Sequence, residues 1–412
     1  MIKENVKINS WIWLIAFSFF LRFIVVFFFT NIDTDLYSSN VNEWHILSDN
    51  LIKYNTYSFY VFEGEAIPSA FMPPLYAFFI YLLKIIYPFE VINLLYLIIF
   101  IQILLSTYSV FLFYILNKIF FTDKISLFSA LVFSLIPLNV YACGQVSSIT
   151  LQVLLSLFFF NFLFEISKKI TTKNLILFSV ISGLLILTRG EFILIFALIL
   201  FFLISYKKIK LFKAIKILTI VLIVISPYVV RNYIHFDKVF IVKSLGYNLW
   251  KGNNQLSNTE GYANLENIQF SNIKKNLVNL KKDKMYEIRR DEIFLNEAIK
   301  NLNDDFFKYF NLFFKKIFSY YFIDLDSKYP NYYNFFHIFP LVIISILSFF
   351  GIFTFFKNNK FEKGIMGLYM IFNLFIFAIF FILPRYKLII LPVQIILAVH
   401  FINYIIRKYE HK

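Results

Sequence analysis

Long apolar runs separated by short basic connections dominate the chain. They cover Trp11 to Phe29 and then roughly 91–116, 125–146, 149–166, 175–188, 191–206, 214–230, 336–356, 364–383 and 387–406. About 20 apolar residues cross the roughly 30 Å hydrocarbon core as a helix, and inside lipid every backbone polar group must be paired within its own element. The pattern therefore predicts an all-α polytopic membrane protein of about ten transmembrane helices. If these helices alternate in direction, Lys118 and Lys124, Lys168, Lys169 and Lys173, the cluster from Lys207 to Lys216, and Lys357, Lys360 and Lys363 all fall on one face. Positive residues mark the cytoplasmic side. Both termini join that face through Lys3 and Lys7 at one end and Arg407, Lys408 and Lys412 at the other.

Three regions follow: a transmembrane module over residues 1–230 with a first external loop at 30–73, an external region over 231–335, and C-terminal transmembrane helices over 336–412. Lys3 and Lys7 before the first run resemble a secretory signal, but no small-residue cleavage site follows, so the run reads as a retained helix. Pro74 to Tyr87 is apolar, bounded by prolines and interrupted by Lys84. At about 21 Å it is too short to span, and it reads as an interfacial or re-entrant helix. Helical spacing also marks residues 41–53, Glu287 to Lys300, and the aromatic and basic run Asp305 to Phe322, which suits a helix lying on the bilayer surface.

Composition agrees. At 59% hydrophobic and 21% aromatic, with 57 Phe, the chain carries more apolar side chain than a water-soluble fold hides. The net charge of +15 sits in the loop lysines and acts as a topology signal, which argues against a nucleic-acid partner. Cys143 is the one cysteine, so neither an intrachain disulfide nor a cysteine-based metal site can form.

Lys outnumbers Arg by 33 to 7, which makes each arginine informative. Arg22 lies inside the first helix, and Arg189, Arg231 and Arg385 lie at expected external helix ends, against the positive-inside bias. A guanidinium there can hold a phosphate bidentately, as an ammonium cannot, or it can snorkel to lipid headgroups. The carboxylates expected on the same face are Asp33, Asp35 and Glu43, with Glu191 beside Arg189. Such a group can deprotonate an acceptor hydroxyl or hold a divalent cation against a phosphate, and the residues alone do not assign a metal.

Several short stretches carry a resemblance in order along nearly the whole chain. They are Leu21-Arg22-Phe23, the run from Glu43 to Leu51, Pro73-Pro74-Leu75-Tyr76 and Leu187-Thr188-Arg189-Gly190-Glu191. Ser226-Pro227-Tyr228 leads to Arg231-Asn232-Tyr233, the run from Gly246 to Asn254 follows, and Pro384-Arg385-Tyr386-Lys387 precedes Leu391-Pro392. The sequence resembles the GT-C superfamily of membrane glycosyltransferases, in particular the bacterial relatives of protein O-mannosyltransferases and of the lipid A aminoarabinose transferase.

The resemblance implies a GT-C-like helical bundle, a polyprenyl-phosphate sugar donor among membrane lipids, a glycan, lipid or protein acceptor, and an inverting transfer at the external face of a bacterial inner membrane. Arg189, Arg231 and Arg385 are then expected at the donor phosphate. Asp35, or failing it Asp33 or Glu43, is expected as the base, and Glu191, Asn232, Tyr233, Asn253 and Tyr386 as supporting residues. Three positions depart from the pattern of relatives: Asn40 replaces an Asp four residues before Trp44, Ser147 and Ser148 stand where a second acidic residue is usual, and Met72 replaces a basic residue. A polysaccharide polymerase or O-antigen ligase shares the helix count and external arginines, and an inactive paralogue or lipid-linked-sugar transporter fits Asn40 and Ser148. The lysine parity predicts that a reporter fused after Lys210 is cytoplasmic and one near Asn258 external; both on the same side would refute this topology.

Overall fold

The computed structural model describes residues 7–30, 42–87, 91–327, 334–357 and 360–410. Each of the ten apolar runs is helical. The membrane-forming helices are α1 (Lys7–Ile24), α4 (Val91–Asn117), α5 (Asp123–Leu135), α6 (Pro137–Cys143), α7 (Ile149–Lys168), α8 (Thr172–Thr188), α9 (Phe192–Ser205), α10 (Leu211–Phe236), α15 (Phe335–Phe355), α16 (Phe361–Ile379) and α17 (Lys387–Glu410). Among the described residues seven helical stretches are long and apolar enough to span, eight if α5 and α6 form one. The pattern predicts about ten; the difference lies in α8 and α9, which have 17 and 14 residues.

The run at 125–146 is not one helix. Pro137 has no amide hydrogen to donate and holds Ile136 extended at φ −60°, ψ 115°, so α5 stops and α6 leaves at a 59° bend. At the other end of the module α1 widens into a π-helical turn over Val25–Phe29, closed by the Thr30 hydroxyl donating to the carbonyls of Val25 (3.0 Å) and Val26 (2.8 Å). Arg22 is buried among serines: Nε donates to Ser106 Oγ at 2.8 Å and Nη1 to Ser18 Oγ at 2.6 Å and to Ser134 at 3.4 Å. A guanidinium that stays in an apolar bundle needs such acceptors, and these tie α1 to α4 and α5. Helix α4 packs along α7, α8 lies against both α7 and α10, and α15 runs along α17.

The remaining elements, which fall in the two regions expected to be external, are α2 (Glu43–Tyr54), β1 (Tyr60–Phe62), β2 (Glu65–Ile67), α3 (Pro74–Ile86), α11 (Leu245–Gly252), α12 (Ser271–Val278), α13 (Tyr286–Asp304) and α14 (Phe306–Tyr321). The two strands form an antiparallel hairpin with Tyr60 opposite Ile67. Glu63 and Gly64 turn it at positive φ, the geometry that two-residue hairpin loops favour. Asn42 caps α2 by accepting from the amides of Trp44 (3.1 Å) and His45 (3.4 Å). Lys84 in α3 pins that helix to α2 through an ion pair with Asp49 and a 2.7 Å bond to Ser48 Oγ. Phe306, Phe310, Phe314 and Phe318 recur every four residues along α14 and are all exposed, an apolar stripe for the bilayer surface.

Two buried ammonium groups join these pieces to the membrane helices. Lys316 on α14 donates to the carbonyls of Gly252 (2.9 Å) and Phe380 (2.6 Å) and to Asn253 Oδ1 (3.1 Å), so it closes the ends of α11 and α16 together. Gly252 is required there, because a Cβ would lie 1.8 Å from the Phe380 carbonyl oxygen. Lys387 donates to the carbonyls of Tyr320 (3.1 Å), Tyr321 and Phe322 (3.0 Å) at the end of α14, and to Ser345 Oγ (3.1 Å). Each buried carbonyl left without a donor costs about 1–3 kcal/mol. Lys316→Met is therefore expected to destabilise the protein by roughly 2–5 kcal/mol. Thermal unfolding in detergent measures this, and an unchanged midpoint would show that water replaces the ammonium without loss.

Candidate functional site

The residues between α8 and α9 form a tight turn. Arg189 ends α8, its amide donating to the Leu185 carbonyl at 2.8 Å, and Glu191 stands immediately before α9. The Arg189 side chain meets three groups: Nε donates to Gln152 Oε1 at 3.1 Å, Nη1 lies 3.7 Å from Glu191 Oε1, and the guanidinium sits 4.8 Å from the centre of the Tyr386 ring. Gln152 lies in the first turn of α7, one turn after Ser148, whose carbonyl accepts from its amide at 2.9 Å. Tyr386 is buried on the 3₁₀ turn Pro384–Tyr386 that enters α17, and its carbonyl accepts from Tyr320 Oη at 3.1 Å. The same turn carries Arg385.

Glu43 opens α2. That helix is seated by Trp44, which packs edge-on against Tyr76 at 5.3 Å, and Tyr76 in turn donates to Gln102 Oε1 at 2.6 Å. The Glu43 side chain is open to solvent yet has protein around the space it faces, the arrangement of a cleft wall. Burial in that surround raises its carboxyl above the usual range, and the positive charges of Arg385 and Lys251 act in the opposite direction. Lys251 comes from the last turn of α11, its ammonium 4.2 Å from the centre of the Phe381 ring. Burial lowers its pKa; Tyr386 opposes this, Arg385 adds to it, and Glu43 and Glu260 also oppose it. Arg385 and Lys251 thus act on the charge of Glu43, and the Tyr386 ring links this group to Arg189 and its partner Glu191, so four separate parts of the chain contribute. Lys251 and Gln152 were not singled out in the sequence; the available signals were the place of Lys251 in the Gly246–Asn254 stretch and a lone glutamine opening an apolar helix.

Other expected residues are placed differently. Asp33, Asp35 and Asn40 lie outside the described residues. Arg231 lies within α10, and its guanidinium donates to the carbonyls of Ser69 (2.6 Å) and Tyr57 (2.9 Å) and to Asn232 Oδ1 (2.8 Å). It shares none of these partners with Arg189. Asn232 in turn donates to the carbonyls of Phe240 (3.0 Å) and Ile241 (3.2 Å), and Tyr233 points outward, 56% exposed. Glu287 completes this junction by accepting from Ser69 Oγ at 2.7 Å and the Ala70 amide at 2.8 Å. Asn253 is used beneath the site, donating to the carbonyls of Leu249 (2.9 Å) and Ile379 (2.8 Å) while accepting from Lys316. Among the described residues no group of three or more His, Cys, Asp or Glu side chains is placed to hold a metal.

Residues 72–230 match the family described as dolichyl-phosphate-mannose-protein mannosyltransferase. Across 98% of its length the chain superposes on the oligosaccharyltransferase of Archaeoglobus fulgidus. Its complex with an inhibitory peptide and a dolichol-phosphate gives a TM-score of 0.55 at 12% identity, covering 51% of that chain. The chain has the GT-C fold. The apo form of the archaeal enzyme gives 0.56 at 13% identity with 51% covered, and the form tethered to an acceptor peptide gives 0.56 at 14% with 50% covered. This GT-C chain therefore spans about half the length of those solved structures. No curated protein matches its sequence. The match at 72–230 takes in Gln152, Arg189 and Glu191, while Glu43, Lys251 and Arg385 lie outside it.

If Arg189 engages an oxyanion through its planar fork, Arg189→Lys is expected to weaken binding of a polyprenyl monophosphate about tenfold, since charge remains and paired donation is lost. Binding to the purified protein in detergent, with its unfolding midpoint as control, measures this; equal affinity would remove Arg189 from the phosphate site.

Proposed function

We propose that the protein is a glycosyltransferase of the plasma membrane, with both termini cytoplasmic, that moves a sugar from a polyprenyl-phosphate donor to a hydroxyl of a glycan, lipid or protein at the external face. The observation that carries this reading is the grouping of Arg385 and Lys251 about the carboxylate of Glu43, with Arg189 joined to them through the Tyr386 ring. Three cations suit a leaving phosphate, and a carboxylate raised by its surroundings suits a proton acceptor working near neutral pH. In the reaction the acceptor oxygen bonds to the anomeric carbon as its proton passes to the carboxylate. The bond from that carbon to the phosphate oxygen breaks, and its electron pair leaves with the lipid phosphate. Charge grows on the phosphate as that bond breaks, so the cations contribute most in the transition state.

An apolar cavity of about 850 Å³ supports a lipid-linked donor. It is lined by Phe318, Tyr321, Phe349, Met370, Ile371 and Leu374, among others. Next to its lining residues Tyr321 and Leu374 on the same helices, Phe377 packs 5.4 Å from Tyr320 and 4.8 Å from Tyr386, the ring on which Arg189 rests. An isoprenoid chain in the cavity and its phosphate at the cations would share these rings as a boundary between lipid and water. Each methylene so buried contributes about 0.8 kcal/mol.

The test is sugar transfer by the purified full chain from a set of polyprenyl-phosphate monosaccharides to membrane extract, with variants at matched abundance. Removing a general base lowers the rate about 10²–10⁴-fold. If Glu43 is the base, Glu43→Gln falls by that factor, and the wild type loses activity as pH drops through a midpoint above the ordinary carboxylate range, because the raised group must be ionised to act. Loss in Asp35→Asn or Asp33→Asn with Glu43→Gln active assigns the base to the first loop, and a large gain in Asn40→Asp shows an impaired natural site. No transfer from any donor would refute the proposed activity.

A further inference from the structure

Arg290 on α13 is surrounded by aromatic rings. Its guanidinium carbon lies 5.3 Å from the ring centres of Tyr247 and Phe294, 5.6 Å from Phe71 and 5.8 Å from Tyr60. The neighbouring Arg289 is tied down differently, its Nη2 donating to the Lys281 carbonyl at 2.7 Å and to Asp283 at 2.5 Å. Arg290 makes no hydrogen bond or ion pair with any described residue, although it is half-buried. The carboxylate whose field it feels, Glu287, is already taken up by Ser69 and the Ala70 amide. Stacking therefore fixes the plane of a guanidinium whose five donors are left for something else.

The surroundings favour an anionic ring-shaped ligand. Tyr60 and Phe62 stack 5.9 Å apart on the hairpin, and Tyr286 stands edge-on to both at 5.2 and 5.1 Å. Phe71 meets Tyr247 edge-on at 5.5 Å, and the Lys282 ammonium adds a second positive charge 5.2 Å from the Phe62 ring. The place is next to the proposed reaction. Tyr247 and Lys251 lie four residues apart on α11, which puts them on one face about 5–6 Å apart. Gly246 and Trp250 form its buried side: a Cβ on Gly246 would lie 2.1 Å from the Asp291 carbonyl oxygen. That close packing sets α11 against α13 and brings Arg290 beside the face that carries Lys251.

We infer that Arg290, with the rings of Tyr60, Phe71 and Tyr247, binds the acceptor, and that the acceptor carries an acidic sugar whose oxyanion takes the guanidinium while its apolar face lies on the rings. The inference rests on the transferase reading above and names its acceptor class. A carboxylate, as on a uronic acid, and a sugar phosphate offer the same oxyanion chemistry.

Binding to the purified full chain distinguishes the possibilities, with galacturonate oligomers, a hexose phosphate and neutral hexose oligomers as probes. The acidic probes are expected to bind at least about tenfold more tightly than the neutral ones. Arg290→Gln should abolish that preference, Arg290→Lys should keep part of it, and Phe71→Leu should weaken acidic and neutral probes alike, all with unfolding midpoints near the wild type. The acidic probe that binds better identifies the anion. No acidic binding in the wild type, equal binding of neutral sugars, or a preference that survives in Arg290→Gln would overturn the inference. Polyprenyl monophosphate binding on the same samples reads the donor site separately: it should survive in Arg290→Gln, and its absence from the wild type would count against the transferase reading while leaving acidic-sugar binding standing.

Discussion

A helix that ends inside a protein leaves carbonyl oxygens without donors, and α11, α14 and α16 all end that way. Here the missing donors come from two lysines. Lys316 closes α11 and α16, and Lys387 closes α14. An ammonium suits this work because it has three donors and a positive charge at the negative ends of helix dipoles, so no carboxylate is needed to keep it buried. The consequence reaches the candidate site directly. Lys251 is the residue before Gly252, whose carbonyl Lys316 holds, and Tyr386 is the residue before Lys387. Two of the groups that face Glu43 and Arg189 are thereby fixed by caps lying just behind them.

The arginines divide their work by how many of their donors the protein itself consumes. Arg22 turns Nε and Nη1 to serines inside the bundle and Arg231 donates to the carbonyls of Tyr57 and Ser69, so both act as braces. Arg189 gives one hydrogen bond to Gln152, pairs at 3.7 Å with Glu191 and rests on the Tyr386 ring, and among the described residues Arg290 is held by rings alone. Stacking positions a guanidinium without using its N–H groups, whereas carbonyl acceptors use them up. Arg22 braces α1 against α4 and α5, Arg231 holds the segment carrying Tyr57 and Ser69 to α10, and the stacked arginines keep the capacity to meet an anion.

The region between lipid and water is organised in the same sense. Arg189 rests on the ring of Tyr386, which packs with Phe377 and through it with Tyr320, while the neighbouring residues Tyr321 and Leu374 on the same helices line the apolar cavity. The exposed Phe stripe of α14 lies on the helix that also borders the cavity, which places a bilayer-seeking surface beside it. An amphiphilic donor with a long apolar chain and a phosphate matches this division, because each end meets the environment that desolvates it least unfavourably.

Much of the fold was legible in the chain because helix formation in lipid depends on local composition: a run of apolar residues must pair its backbone within itself. The ten runs and the helices over 43–54, 286–304 and 306–321 reflect near-neighbour chemistry, whereas the break at Pro137 divides a run read from the sequence as continuous. The arginines at helix ends could likewise be recognised as unusual against a lysine-rich background. What they do was decided by tertiary structure. Arg189 and Arg231 have the same side chain and looked alike in the sequence, yet one ends α8 and meets a ring and a glutamine, and the other lies within α10 and meets the carbonyls of a loop more than 160 residues away. Lys251 and Gln152 gained their places beside Glu43 and Arg189 only when α11, α7 and the turn before α17 came together. Periodicity records which face of a helix avoids water, but a guanidinium's role depends on which acceptors the packed chain brings within hydrogen-bonding distance, and those come from segments remote in sequence.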